Sequence, residues 1–260
     1  MEWEFEAPGP IDADIGVPAG LVDVVAATDG KVGVTLEALR RGRRAEELIA
    51  ATVVSFSDGT LRVEMPGGRL RSVEVRCTVS LPPGSALTTR TASADLRCPV
   101  RLARFSGTTA SGDMALADVE TDVTVKAASG DVECGEVGGT LQVRTASGDV
   151  SVRRTAGDAH VASASGDLEL ADAEGPVKVE SASGDVTIGR ASSGRVHVST
   201  ASGDVTVGVA AGVGAYLDIT TVSGDTSTTL PFSEEVPGDA VLEIVCRTVS
   251  GDVTIRKAAS

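Results

Sequence analysis

The chain has little of what most folds of its size rely on. Aromatic residues make up 2% of 260 positions, with one Trp, one Tyr and four Phe. A core built on large rings is therefore excluded. Positive charge is short as well: 23 Lys and Arg stand against 37 Asp and Glu, for a formal net charge of −14. That balance argues against nucleic acid or anionic lipid as a partner, because both need a positive field. The one basic run, "RRGRR" at 40–44, reads as a solvated turn. No apolar run reaches the roughly 18–20 residues that a membrane span requires, so no membrane insertion is expected. The N-terminal "MEWEFEAPGPIDADIG" has neither a basic n-region nor an apolar h-region, and the expectation is a soluble, cytoplasmic protein. A P-loop and a dinucleotide fingerprint are also missing, and no cofactor is expected.

What the chain does have is a repeat. Ser-Gly-Asp occurs at 111–113, 129–131, 147–149, 165–167, 183–185, 202–204, 223–225 and 250–252, and "SAD" at 93–95 is the same element with Ala94 for glycine. Successive triplets lie 18, 18, 18, 18, 19, 21 and 27 residues apart. A weaker period of nine runs inside the eighteen, through Gly130, Gly139, Gly148, Gly157, Gly166, Gly175 and Gly184. Two short strands and two tight corners per period is the signature of a β-solenoid coil.

Alternation assigns the faces. Val132, Val150, Leu168, Val186, Val205 and Val253 follow the repeat Asp and form one inward column. On the opposite strand the inward pairs include Val123/Val125, Leu141/Val143, Val177/Val179, Val196/Val198, Leu217/Ile219 and Ile244/Cys246, with polar residues between them. The fold expected is all-β, a single β-solenoid with coils of about 18 residues and two short strands each. Residues 1–90 read as irregular first coils, with one short helix near 43–50. Residues 91–260 read as regular coils, with an inserted loop near 230–239.

The run "VSLPPGSALTTRTASADL" (79–96), followed by "TTASGDM", "AASGDV", "RTASGDV" and "SASGDL", resembles a bacterial β-strand-repeat domain family of unknown function, often labelled "putative adhesin". The resemblance covers most of the chain. It implies one β-solenoid with no established enzymatic activity, and some relatives look envelope-associated or stress-linked.

The repeat carboxylates are the first candidate site. Stacked one per coil, like charges would repel. A cation could relieve this, and Ca²⁺ held by Asp131, Asp149, Asp167 and Asp185 is the oxygen-ligand option. The calcium-binding nonapeptide solenoid, however, uses G-G-x-G-x-D, whereas here a single glycine precedes the Asp. The preferred reading is a structural corner at Gly112-Asp113, Gly130-Asp131, Gly148-Asp149, Gly166-Asp167, Gly184-Asp185 and Gly203-Asp204. There glycine supplies positive φ, while Ser and Asp side chains bond turn amides.

Cys77, Cys98, Cys134 and Cys246 fall in apolar register and read as small buried hydrophobes rather than metal ligands or disulfide partners. His160 and His197 share an outward column with Lys178 between them, about two coils (roughly 9–10 Å) apart, too far to ligate one metal. Neither a Ser-His-Asp constellation nor paired catalytic carboxylates with an aromatic sugar platform is evident. The insertion "LPFSEEVPGD" (230–239) offers Phe232, Glu234 and Glu235 as a partner contact. The C-terminal "SGDVTIRKAAS" stops after a full repeat strand without an obvious polar cap, so either another chain covers the open stack, as a homo-oligomer through terminal coils would, or the charged "RKAAS" blunts it. The function these features favour is a non-enzymatic scaffold or protein-interaction module with an unidentified protein partner. An envelope or adhesion factor is the alternative, and a carbohydrate-active β-helix enzyme comes third.

Overall fold

The protein is described by a computed structural model covering residues 1–40, 42–67, 73–231 and 241–259. It is all-β with one short helix among the described residues, and parallel solenoid-like stacking dominates. The chain divides into two compact units, Met1–Cys134 and Gly135–Ser260.

The first unit contains β1 (Glu2–Glu6), β2 (Asp12–Ala26), β3 (Lys31–Ala38), α1 (Arg43–Ala50), β4 (Val53–Ser57), β5 (Thr60–Glu64), β6 (Val75–Leu81), β7 (Ala86–Cys98), β8 (Arg104–Thr109), β9 (Met114–Leu116) and β10 (Val123–Ala127), and β11 (Val132–Val137) begins in it. β2 and β7 are long because each passes through its corner without a break. They run parallel from Asp12↔Ala86 to Asp23↔Arg97, with Gly20 opposite Ala94 at the bend. The first half of β7 then pairs with β8 and its second half with β9, which is the coil pattern read from the sequence. On the other side of β2 the regularity ends. β5 and β6 are parallel to it, but β4 joins β5, β3 joins β6 and β1 joins β3 antiparallel. α1 packs on β3 and buries Ala45 and Leu48.

The second unit continues with β12 (Leu141–Ser147), β13 (Val150–Thr155), β14 (Ala159–Ser165), β15 (Leu168–Ala173), β16 (Val177–Ser183), β17 (Val186–Ala191), β18 (Arg195–Ser202), β19 (Val205–Val209), β20 (Gly214–Ser223), β21 (Thr226–Thr228), β22 (Val241–Ser250) and β23 (Val253–Lys257). One parallel sheet runs β12–β14–β16–β18, and the other β13–β15–β17–β19. Their inward residues Val143, Val161, Leu170, Ile188, Val198 and Val207 are fully buried. Burying a side chain of this size stabilises by about 1.5–3 kcal/mol before conformational entropy is counted against it.

Beyond β18 and β19 the spatial order departs from the chain order. β22 pairs with β18 and β23 with β19, while β20 pairs with β22 and β21 with β23. The last coil of the sequence therefore lies between two earlier ones. The C-terminal coil, expected to be the open end of the stack, is interior, and the coil β20–β21 is outermost. Burial explains the choice. Leu242, Ile244, Val245 and Cys246 of β22 are all buried, so this strand needs neighbours on both sides. β21 instead carries Thr226 and Thr228 where inner coils carry Val, Leu or Ile, and Leu217 and Ile219 of β20 are only half-buried. The more polar coil takes the exposed place.

Candidate functional site

The aspartate edge is built by bonds between coils. In the first unit the Asp113 amide donates to Oδ1 of Asp95 at 3.1 Å, and the Asp131 amide donates to Oδ1 of Asp113 at 2.9 Å. In the second unit the amides of Asp167, Asp185, Asp204 and Asp252 donate to the carboxylates of Asp149, Asp167, Asp185 and Asp204, each at 2.8 Å. The Asp225 amide then donates to Asp252 at 2.7 Å. Main-chain bonds return in the other direction: the amides of Leu168 and Val186 donate to the carbonyls of Asp185 and Asp204. The carboxylates of Asp95, Asp113, Asp149, Asp167, Asp185, Asp204 and Asp252 thus each face a backbone N–H of the neighbouring coil, and this offsets the repulsion of a stacked like-charge column.

The glycine is required for two reasons, seen at Gly166 and Gly184. Their φ angles are 120° and 121°, which L side chains rarely adopt. A Cβ on Gly166 would also overlap the carbonyl oxygen of Gly148, and one on Gly184 that of Gly166. In the second unit the hydroxyl that bonds the corner backbone comes from the residue two before the triplet Ser, whereas in the first the triplet Ser111 itself donates to the carbonyl of Ala92. Thr145, Ser163, Ser181 and Thr200 donate to the carbonyls of Ser147, Ser165, Ser183 and Ser202. The signal was present as the Thr or Ser opening each "TASGD" or "SASGD".

As calcium ligands, Asp149, Asp167 and Asp185 each commit Oδ1 to an amide. Among the described residues no group of three or more His, Cys, Asp or Glu is arranged to hold a metal ion. The four thiols are buried and unpaired. Burial pushes Cys77, Cys134 and Cys246 up to about 12 and Cys98 to about 11.

His160, Lys178 and His197 stand in register on β14, β16 and β18. They border a shallow groove of about 460 Å³ with Asp158, Pro176 and Arg195. Lys178 is held at 2.8 Å by Glu180, whose carboxyl is lowered first by that hydrogen bond and then by the same charge. A second depression of about 300 Å³ lies over Gly33 and is bordered by Glu2, Trp3, Glu4 and Lys31. Glu4 is paired with Lys31 at 3.1 Å. Trp3 alternates with Glu2 and Glu4 along β1, so its ring belongs to the face shared with Phe5. Phe232, Glu234 and Glu235 lie outside the described residues.

The end coil is the remaining exposed feature. Tyr216 is 61% exposed and Val222 78%. Among the described residues no strand lies beyond β20 on the side away from β22. No described helix is long and apolar enough to cross a membrane.

Parallel two-strand coils joined at Gly-Asp corners define a solenoid-like repeat protein. The chain belongs to the Toastrack DUF4097 family, whose profile matches residues 21–259. A protein from Bacteroides fragilis NCTC 9343, named "putative adhesin", has a similar structure at a TM-score of 0.50, with 14% identity over 98% of this chain and 96% of that one. A "putative adhesin" from Parabacteroides distasonis ATCC 8503 is similar at a TM-score of 0.51, with 10% identity and the same coverage of both chains. Identities this low speak for the fold alone. A comparison with curated proteins finds no match.

Proposed function

We propose that the protein is a non-enzymatic scaffold or interaction module working in the cytoplasm, with contacts made by its surface coils and by self-association. The observation that carries this reading is the use of the repeated polar groups. The Asp carboxylates, the most conspicuous chemistry in the sequence, serve the amides of neighbouring coils. Rigidity follows from that arrangement, and a rigid ladder suits presentation of a surface. Four buried, unpaired thiols suit a reducing compartment. The test is recovery of the tagged intact protein from its native cell under mild lysis. A protein partner, or a second copy, recovered in fixed stoichiometry is expected. Turnover of a substrate by the purified chain, lost on changing Glu2 and Glu4 together, would overturn the reading in favour of an enzyme.

A second reading is favoured by the names of the two similar structures. An envelope or adhesion role predicts the native protein in the membrane or wall fraction, and recovery in the soluble fraction alone counts against it.

A further inference from the structure

The free edge of β20 is complementary to itself. We infer that two copies pair through it, antiparallel, about a two-fold axis at Ile219; this rests on the self-association proposed above and names its surface.

β20 spans ten residues, Gly214–Ser223, with a single charge, no proline and no lysine, and so lacks the usual devices that blunt an edge. Its outer backbone groups have no strand partner among the described residues. Two identical edges related by a two-fold must run antiparallel, and each contact then occurs twice. Centring the pair on Ile219 sets residue i opposite residue 438 − i in register, and the pleat keeps each side chain on its own face.

On the exterior, Tyr216 of one copy then meets Val222 of the other. These are the two exposed apolar side chains of the strand, at 61% and 78%, and aromatic with β-branched is a favourable cross-strand pair. Asp218 meets Thr220, so the two carboxylates stay apart and each gains a hydroxyl. On the interior, Ile219 meets Ile219 and Leu217 meets Thr221, which closes over the half-buried column left open at this end. A shift of one residue would place the inner column outside. A centre at Asp218 would set the carboxylates face to face, and a centre at Thr220 would set Tyr216 beyond the strand end.

The experiment uses the full chain in size-exclusion chromatography with light scattering across concentration, with unfolding midpoints recorded for every variant. The wild type is expected to dimerise. T220D, on an exposed position, opposes two carboxylate pairs and should raise the dimer dissociation constant at least about tenfold, while T220K should lower it. I219C should form an intermolecular disulfide with itself on mild oxidation, because directly opposed strand residues fall within disulfide reach. L217C, off the axis, should not. A wild type and T220K that are monomeric at every concentration would overturn self-association, and the scaffold reading would then stand or fall on the recovered partner. A dimer indifferent to T220D, or cross-linked through L217C rather than I219C, would overturn this surface and leave self-association elsewhere.

Discussion

An inner coil such as β16–β17 and the end coil β20–β21 share one corner motif but meet different surroundings. Val177, Val179, Val186 and Ile188 of the inner coil are fully buried between coils on both sides. Leu217 and Ile219 at the corresponding places in the end coil are half-buried, and the other wall of that coil offers Thr226 and Thr228. The triplet itself is unchanged, and Asp225 still donates its amide to the neighbouring carboxylate at 2.7 Å. The corner therefore sets where a coil turns, while the residues flanking it set how deep in the stack the coil belongs.

Four measurements would break or sharpen that contrast. The largest effect should come from truncating the chain after Pro231, which removes β22 and β23 and leaves β20 and β21 with no strand to pair with. Hydrogen exchange should then show complete loss of protection over Gly214–Thr228, with β12 to β17 still protected; a protected β20 would mean that it can stack directly on β18. Next is Gly166→Ala, where a positive φ and an overlap with the Gly148 carbonyl coincide. A loss of about 3 kcal/mol or more is expected in urea unfolding. Gly212→Ala, where a Cβ would meet nothing within 4 Å, should cost only the backbone strain of about 1–2 kcal/mol.

The third compares Leu170→Ala with Leu217→Ala. The inner change should destabilise by about 2–5 kcal/mol, whereas the end change should cost well under half of that, because water already reaches the site. Equal losses would mean that the end column is covered. The smallest contrast is in the ladder. Asp167→Ala leaves the Asp185 amide without its acceptor and should cost about 1–2 kcal/mol, largely restored in Asp167→Asn. Asp225→Ala, beyond which no coil is described, should be close to neutral when both are compared by urea unfolding.

Much of this was legible in the sequence. The 18-residue period gave the coil, and alternation placed Val125, Val143, Val179 and Val198 inward, where they are buried. Local turn chemistry puts the Asp side-chain bond inside one turn, whereas in the fold the Asp167 carboxylate accepts from the Asp185 amide of the next coil. A carboxylate that reaches the next coil is invisible to a local motif, since its partner lies 18 residues away. The antiparallel run of β1, β3 and β4 was equally hidden, because "EWEFE" and "KVGVTLEA" alternate alike in either strand direction.

The sequence by itself determined the unit of structure: strand, glycine corner, strand, repeated in one register with a Val-sized core. It did so because each feature is set within one period by backbone geometry and side-chain alternation. Which coil neighbours which was decided only in three dimensions. Every coil offers the same hydrogen-bond pattern and corner, so local rules allow the order β18–β20–β22 as readily as β18–β22–β20. The observed order wins because it places the apolar β22 between two neighbours and leaves the threonine-bearing coil at the open end.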